Sequence, residues 1–185
     1  MNSERRAEGE PPSASKPPGG PAPRSEVPPA IESAESFGAA LCWGFETAIA
    51  DGARCITCVD RTFEAWPLDD PALLRALSAW LRLPQRRLLL LAASYDRVPR
   101  CQPRFTGWRR DWAHAIQALQ APEEFAVDLP TLLLDDRRLS VHLLDAERWR
   151  GRVEVEPRAR LLWQERIDVV LQRSEPAFAV TALGL

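Results

Sequence analysis

Lysine is almost absent from this chain. Lys16 stands alone against 23 arginines, so no site beyond residue 16 can rest on a lysine ammonium. Histidine is nearly as scarce, with only His114 and His142. Glycine is sparse too: nine in all, three of them within the first 35 residues. No GxGxxG, GxxxxGK[ST] or GxSxG occurs, which excludes the Gly-rich phosphate loops and the nucleophile elbow. No stretch approaches the ~18 continuous apolar residues of a membrane span; the longest apolar run, 88–93, has the length of a strand. The N-terminus has no hydrophobic signal core, and four cysteines are ordinary for a reduced compartment, so the expected location is the cytoplasm. A surplus of positive charge is also missing. Residues 1–35 hold four basic and six acidic residues, and residues 36–185 hold 20 of each, whereas a nucleic-acid domain usually shows a basic excess. That balance argues against broad nucleic-acid binding and leaves room for a local arginine patch.

The first aromatic residue is Phe37, and eight of the 17 prolines precede it. Such a segment cannot bury enough apolar surface to offset its ordering entropy. Residues 1–35 are therefore expected to be a disordered Pro-rich tail, extended at Pro11-Pro12, Pro17-Pro18 and Pro28-Pro29, and 36–185 to be a single domain. Within it, Phe37, Leu41, Phe45 and Ile49 recur every four residues and predict a helix over 36–50, ended by Asp51-Gly52. Residues 54–60 read as a strand. Asp69-Asp70-Pro71 is a helix start, with Leu73, Leu77, Trp80 and Leu81 as its buried stripe. The unbroken run 88–93 fits a central strand covered on both faces. Trp108, Trp112, Ile116 and Leu119 predict a further crossover helix, and 125–127 a short strand. Residues 131–134 and 139–144 flank the turn Asp135-Asp136-Arg137-Arg138 and read as a hairpin, followed by an alternating strand over 152–156. A last helix over 157–173 is expected to bury Leu161, Leu162, Ile167, Val170 and Leu171. Strand-helix alternation followed by short strands predicts an α/β fold, a mixed sheet flanked by helices.

Few motifs carry chemistry. Cys55-Ile-Thr-Cys58 is a CxxC, but on a strand its two thiols point to opposite faces, and no second pair completes a metal site. His142 sits between apolar neighbours on a predicted strand and reads as structural. The Trp108-Arg-Arg-Asp-Trp112 run puts both tryptophans on one stripe, so Arg109 and Arg110 are expected to face water. Trp149-Arg150-Gly-Arg152 interleaves an aromatic with arginines in a way that can hold phosphates or stack bases. Asp69-Asp70 reads as a helix cap and Asp135-Asp136 as a turn, not as metal ligands. No cofactor and no metal is expected.

From residue 54 onward the succession resembles one repeat of the phospholipase D-like fold, most of all the short bacterial domains of that type. Leu73-Leu-Arg-Ala-Leu77 followed by Arg87-Leu-Leu-Leu-Leu91 is similar to the helix and strand that precede the family's active strand pair. Thr131-Leu-Leu-Leu-Asp135-Asp136-Arg-Arg-Leu139 resembles the signature strand-turn-strand, and Ile167-Asp168-Val-Val-Leu171-Gln-Arg-Ser174 its closing helix. Active members carry His-x-Lys-x4-Asp. Placing the last residue on Asp135 puts Asp128 at the histidine and Pro130 at the lysine. A carboxylate beside proline, with no adjacent cation, repels a phosphodiester and replaces neither the nucleophile nor the electrostatic clamp. The Gly-Ser-x-Asn element that follows in the family is missing as well.

The resemblance thus implies a degenerate site and a non-catalytic interaction or regulatory module. Its expected partner is a protein or a second copy of the chain, since the family's sites form between two repeats. The alternative is a nucleic-acid or nucleotide binder that uses Arg137, Arg138, Arg150 and Arg152 near the old cleft.

Overall fold

The computed structural model describes residues 27–179; the expected disorder of 1–26 lies outside the described residues. Helix α1 (Ala34–Ala50) starts on a capping box in which the Ser33 hydroxyl accepts from the Ser36 amide and the Ser36 hydroxyl accepts from the Ser33 amide. Strand β1 (Cys55–Asp60) follows, then α2 (Pro71–Leu81), whose N-cap Asp70 accepts from the Leu73 amide at 2.8 Å. Strand β2 (Arg87–Ala92) leads to a short helix α3 (Val98–Cys101), then α4 (Pro103–Asp111) and strand β3 (Ile116–Gln120). A helical turn α5 (Glu123–Ala126) precedes the hairpin β4 (Thr131–Asp135) and β5 (Leu139–Asp145). Strand β6 (Arg150–Val155), helix α6 (Pro157–Leu171) and a two-residue strand β7 (Glu175–Pro176) complete the elements of the described residues.

The strands form one mixed sheet in the order β6-β5-β4-β1-β2-β3-β7. Strands β1, β2 and β3 are parallel, while β4, β5, β6 and β7 each run antiparallel to their neighbours. Alternation along each strand feeds two cores. Ile56, Cys58, Leu88, Leu90 and Leu133 face α1, α2 and α4, where Phe37, Leu41, Phe45, Trp80 and Phe105 are buried. Val59, Leu91, Leu132 and Leu134 face Ile167 and Val170 of α6. The mixed sheet flanked by helices is the α/β architecture expected from the sequence. Against the hairpin α1 packs closely: a Cβ at Gly44 would lie 2.7 Å from Leu133 Cδ2 and 3.0 Å from Val141 Cγ2.

Four expectations are corrected. The helix predicted through Trp108 and Leu119 is broken: α4 ends at Asp111, the chain turns through Trp112 to Ala115, and Ile116–Gln120 is a strand. The start of α4 is set from far away, because the Asp69 carboxylate accepts from the Arg104 and Phe105 amides at 2.6 and 3.1 Å. Residues 125–127 are not a strand but belong to α5 and its C-cap. Leu161 and Leu162 are exposed, since the face of α6 that meets the sheet carries Ile167 and Val170. The packed unit also begins before residue 36. Ile31 is buried and bridges Gly151 on β6, Glu32 pairs with Arg150, and α1 starts at Ala34.

Candidate phosphate-binding cleft

The residues picked out by the signature spread over opposite ends of β4. At its start, Asp128 is exposed and Pro130 half-buried. The Thr131 hydroxyl there donates to Asp60 Oδ2 at 2.6 Å, and Asp60 Oδ1 accepts from the Thr62 and Phe63 amides. The edge at which the resemblance puts a histidine and a lysine therefore carries the carboxylates of Asp60 and Asp128. At the other end, Asp135 is buried, and its Oδ1 accepts from the amides of Arg137, Arg138 and Leu139 at 2.9, 2.8 and 2.8 Å. Its role is to close the hairpin turn; its Oδ2 has no hydrogen-bond partner among the described residues.

The four candidate arginines do not form one cradle. Arg137 and Arg138 precede Leu139, whereas Arg150 pairs in register with Asp145 at the far end of β5. Along an antiparallel strand of that length Arg150 lies roughly 20 Å from Arg137 and Arg138, and Arg152, opposite His142, roughly 13 Å. Arg138 is also engaged with Asp51 at 2.9 Å, and Arg150 with Glu32 at 3.5 Å. Arg152 is exposed opposite His142 on β6. The His142 ring lies 4.2 Å from that of Trp163 on α6. Burial, reinforced by the Arg166 charge, lowers its pKa from 6.5 to about 4, so it is a neutral packing residue near neutral pH. Arg109, expected to face water, is buried with its guanidinium 3.9 Å from the Phe178 ring centroid and bonded to the Phe178 carbonyl.

The edge where the parallel strands begin is different. Parallel pairing in near register brings the residues that enter β1, β2 and β3 side by side: the Arg87 amide donates to the Arg54 carbonyl and the Leu88 amide to the Ala115 carbonyl, each at 2.9 Å. Arg54, Arg86, Arg87 and His114 therefore line one open cleft of about 780 Å³, with Gln85 and Asp136 in its walls, and Arg87 also lines a second hollow with Asp135, Asp136 and Asp168. Asp136 ties the hairpin turn to this edge, since its Oδ1 accepts from the Arg54 amide at 3.0 Å and its amide donates to the Cys55 carbonyl at 3.1 Å. The bulky Gln85 sits in left-handed backbone (φ 59°) at the rim, a conformation that carries strain in a residue with a Cβ.

Ion pairs among the described residues engage Arg97, Arg138, Arg148, Arg150 and Arg173, and none of the three cleft arginines. Arg86 Nε is buried and without a hydrogen-bond partner among the described residues. Arginines that line one cleft suit an oxyanion, which guanidinium forks bind through paired N–H···O bonds. No group of three or more His, Cys, Asp or Glu gathers among the described residues to hold a metal ion. Sequence reasoning missed Arg54, Arg86, Arg87 and His114 as a set. The available signal was an arginine immediately before each of two strands joined by a single helix, a connection that suits a parallel pair and places both arginines at one edge.

No protein-family model matches the chain, and no curated protein matches it. Among solved structures the chain is similar to TrmBL2, an archaeal chromatin protein whose structure shows a novel mode of DNA binding, with a TM-score of 0.57 at 14% identity. The match covers 83% of this chain and 56% of that one, so the chain spans little more than half the length of its structural neighbour. At that identity the shared feature is the fold, a helix-flanked mixed sheet.

Proposed function

We propose that this chain is a phospholipase D-like domain without phosphoryl-transfer chemistry, and that it binds nucleic-acid phosphate through the arginine cleft at the amino edge of its parallel strands. The observation that carries the reading is that Arg54, Arg86 and Arg87 line one concave surface and make no ion pair among the described residues. Two further points support it. The edge where the family keeps its nucleophile carries Asp60 and Asp128 and therefore repels a phosphodiester. The fold neighbour binds DNA, which is compatible with a nucleic-acid ligand for this fold.

The test is fluorescence anisotropy of labelled nucleic acid over a range of salt. Wild-type protein is expected to bind with an affinity that falls with salt. R54A/R87A is expected to flatten that dependence by about 0.7–0.9 in slope for every phosphate the variant no longer neutralises. R150A/R152A, on β6 and away from the cleft, is expected to leave the slope unchanged. A slope that responds to the β6 pair and not to the cleft would move the site elsewhere. A flat titration with wild-type protein would return the chain to a protein-interaction module.

A further inference from the structure

Resting on that reading, we propose that the cleft takes single-stranded nucleic acid, with a backbone phosphate between Arg54, Arg86 and Arg87 and the neighbouring base stacked on His114. The shape of the site argues for an unpaired strand. A concavity of about 780 Å³ has the capacity of a small-ligand pocket, enough for a nucleotide unit that is free to turn its base outward. A duplex keeps its bases stacked inside and presents phosphates along a convex ridge that does not enter such a space. Charge argues the same way. A duplex footprint uses about 6–10 phosphate contacts, and residues 36–185 have no positive surplus to supply them, with 20 basic and 20 acidic residues. The three arginines at this edge, which make no ion pair among the described residues, all line the cleft, and Asp136 in its wall opposes a broad polyanion.

The aromatic element is already in place. His114 is exposed between Ala113 and Ala115, small neighbours that leave the ring accessible, and all three line the cleft. Its ring backs onto Trp112 at 6.0 Å, which in turn lies 6.2 Å from Trp108. An imidazole held against a tryptophan beside a guanidinium cluster offers a π-face for a base next to a phosphate site, the combination by which single strands are bound without sequence preference.

The experiment compares a labelled oligothymidylate with the same strand annealed to its complement as a blunt duplex, using the full chain. The single strand is expected to bind at least tenfold more tightly. H114A is expected to weaken single-strand binding by about tenfold, while H114F, which keeps a stacking face, retains it. Thermal melts of both variants check that they remain folded. Equal affinity for the blunt duplex, or an H114A variant that melts like wild type and binds the single strand unchanged, overturns the proposal. In that case a salt slope still flattened by R54A/R87A leaves the phosphate-binding reading standing. If no nucleic acid binds at any salt, both fall together.

Discussion

The His142 imidazole is held in its neutral form by burial against Trp163 and by the nearby Arg166 charge. Below pH 6.5 the unfolded chain takes up a proton that the folded chain refuses until about pH 4. Stability therefore falls as pH drops through that window and levels off beneath it. The expected outcome is a difference in thermal midpoint between wild type and His142→Phe that is constant above pH 6.5 and changes between 6.5 and about 4, read by circular dichroism across a pH series. Gly44 is a second residue whose role is set by its surroundings. A methyl group there would press on Leu133 and Val141 between α1 and the hairpin, so Gly44→Ala is expected to cost about 1–3 kcal/mol. Urea unfolding should show a lowered midpoint with an unchanged m value. Both residues are visible in the sequence, but their neighbours come from elements far along the chain, and spacing does not supply those neighbours.

At the scale of elements, local signals succeed where the signal and its partner lie close together. Asp70-Pro71 starts α2 because the cap and the amide it satisfies are three residues apart, and the turn at Asp135 is self-contained for the same reason. Helix α4 breaks the pattern, since its first amides are satisfied by Asp69, more than thirty residues earlier. Ile116–Gln120 has apolar spacing that fits a helix continued from Trp108, but pairing with β2 satisfies its backbone in the sheet, and the tertiary ladder overrides the local period. The start of α1 gives a prediction of its own. Ser33→Ala is expected to cost ~1 kcal/mol by removing the cap of the first helix. A chain beginning at residue 36 should melt lower than one beginning at residue 27, because it lacks that cap together with buried Ile31 and its bridge to Gly151.

For the whole molecule, what matters is which edge of the sheet carries charge. Strand β4 runs antiparallel to β1, so the start of β4 meets the end of β1 and the end of β4 meets its start. That geometry separates Asp128 and Asp60 from the arginine cleft by the length of the sheet. It also joins the hairpin turn, through Asp136, to Arg54, Arg86 and Arg87. Among the described residues no helix is long and apolar enough to cross a membrane. The sequence by itself determined the α/β class, the hairpin, the strand nature of the CxxC segment and the lack of a histidine-lysine pair, because periodicity, turn chemistry and residue identity are local or compositional properties. Only the tertiary structure decided that Arg109 is buried, that Leu161 and Leu162 are not, and that Arg54, Arg86, Arg87 and His114 share one cleft. Those facts depend on strand order, parallel register and the rotation of α6 on the sheet, which arise from packing between residues distant in the chain and leave no periodic trace in it.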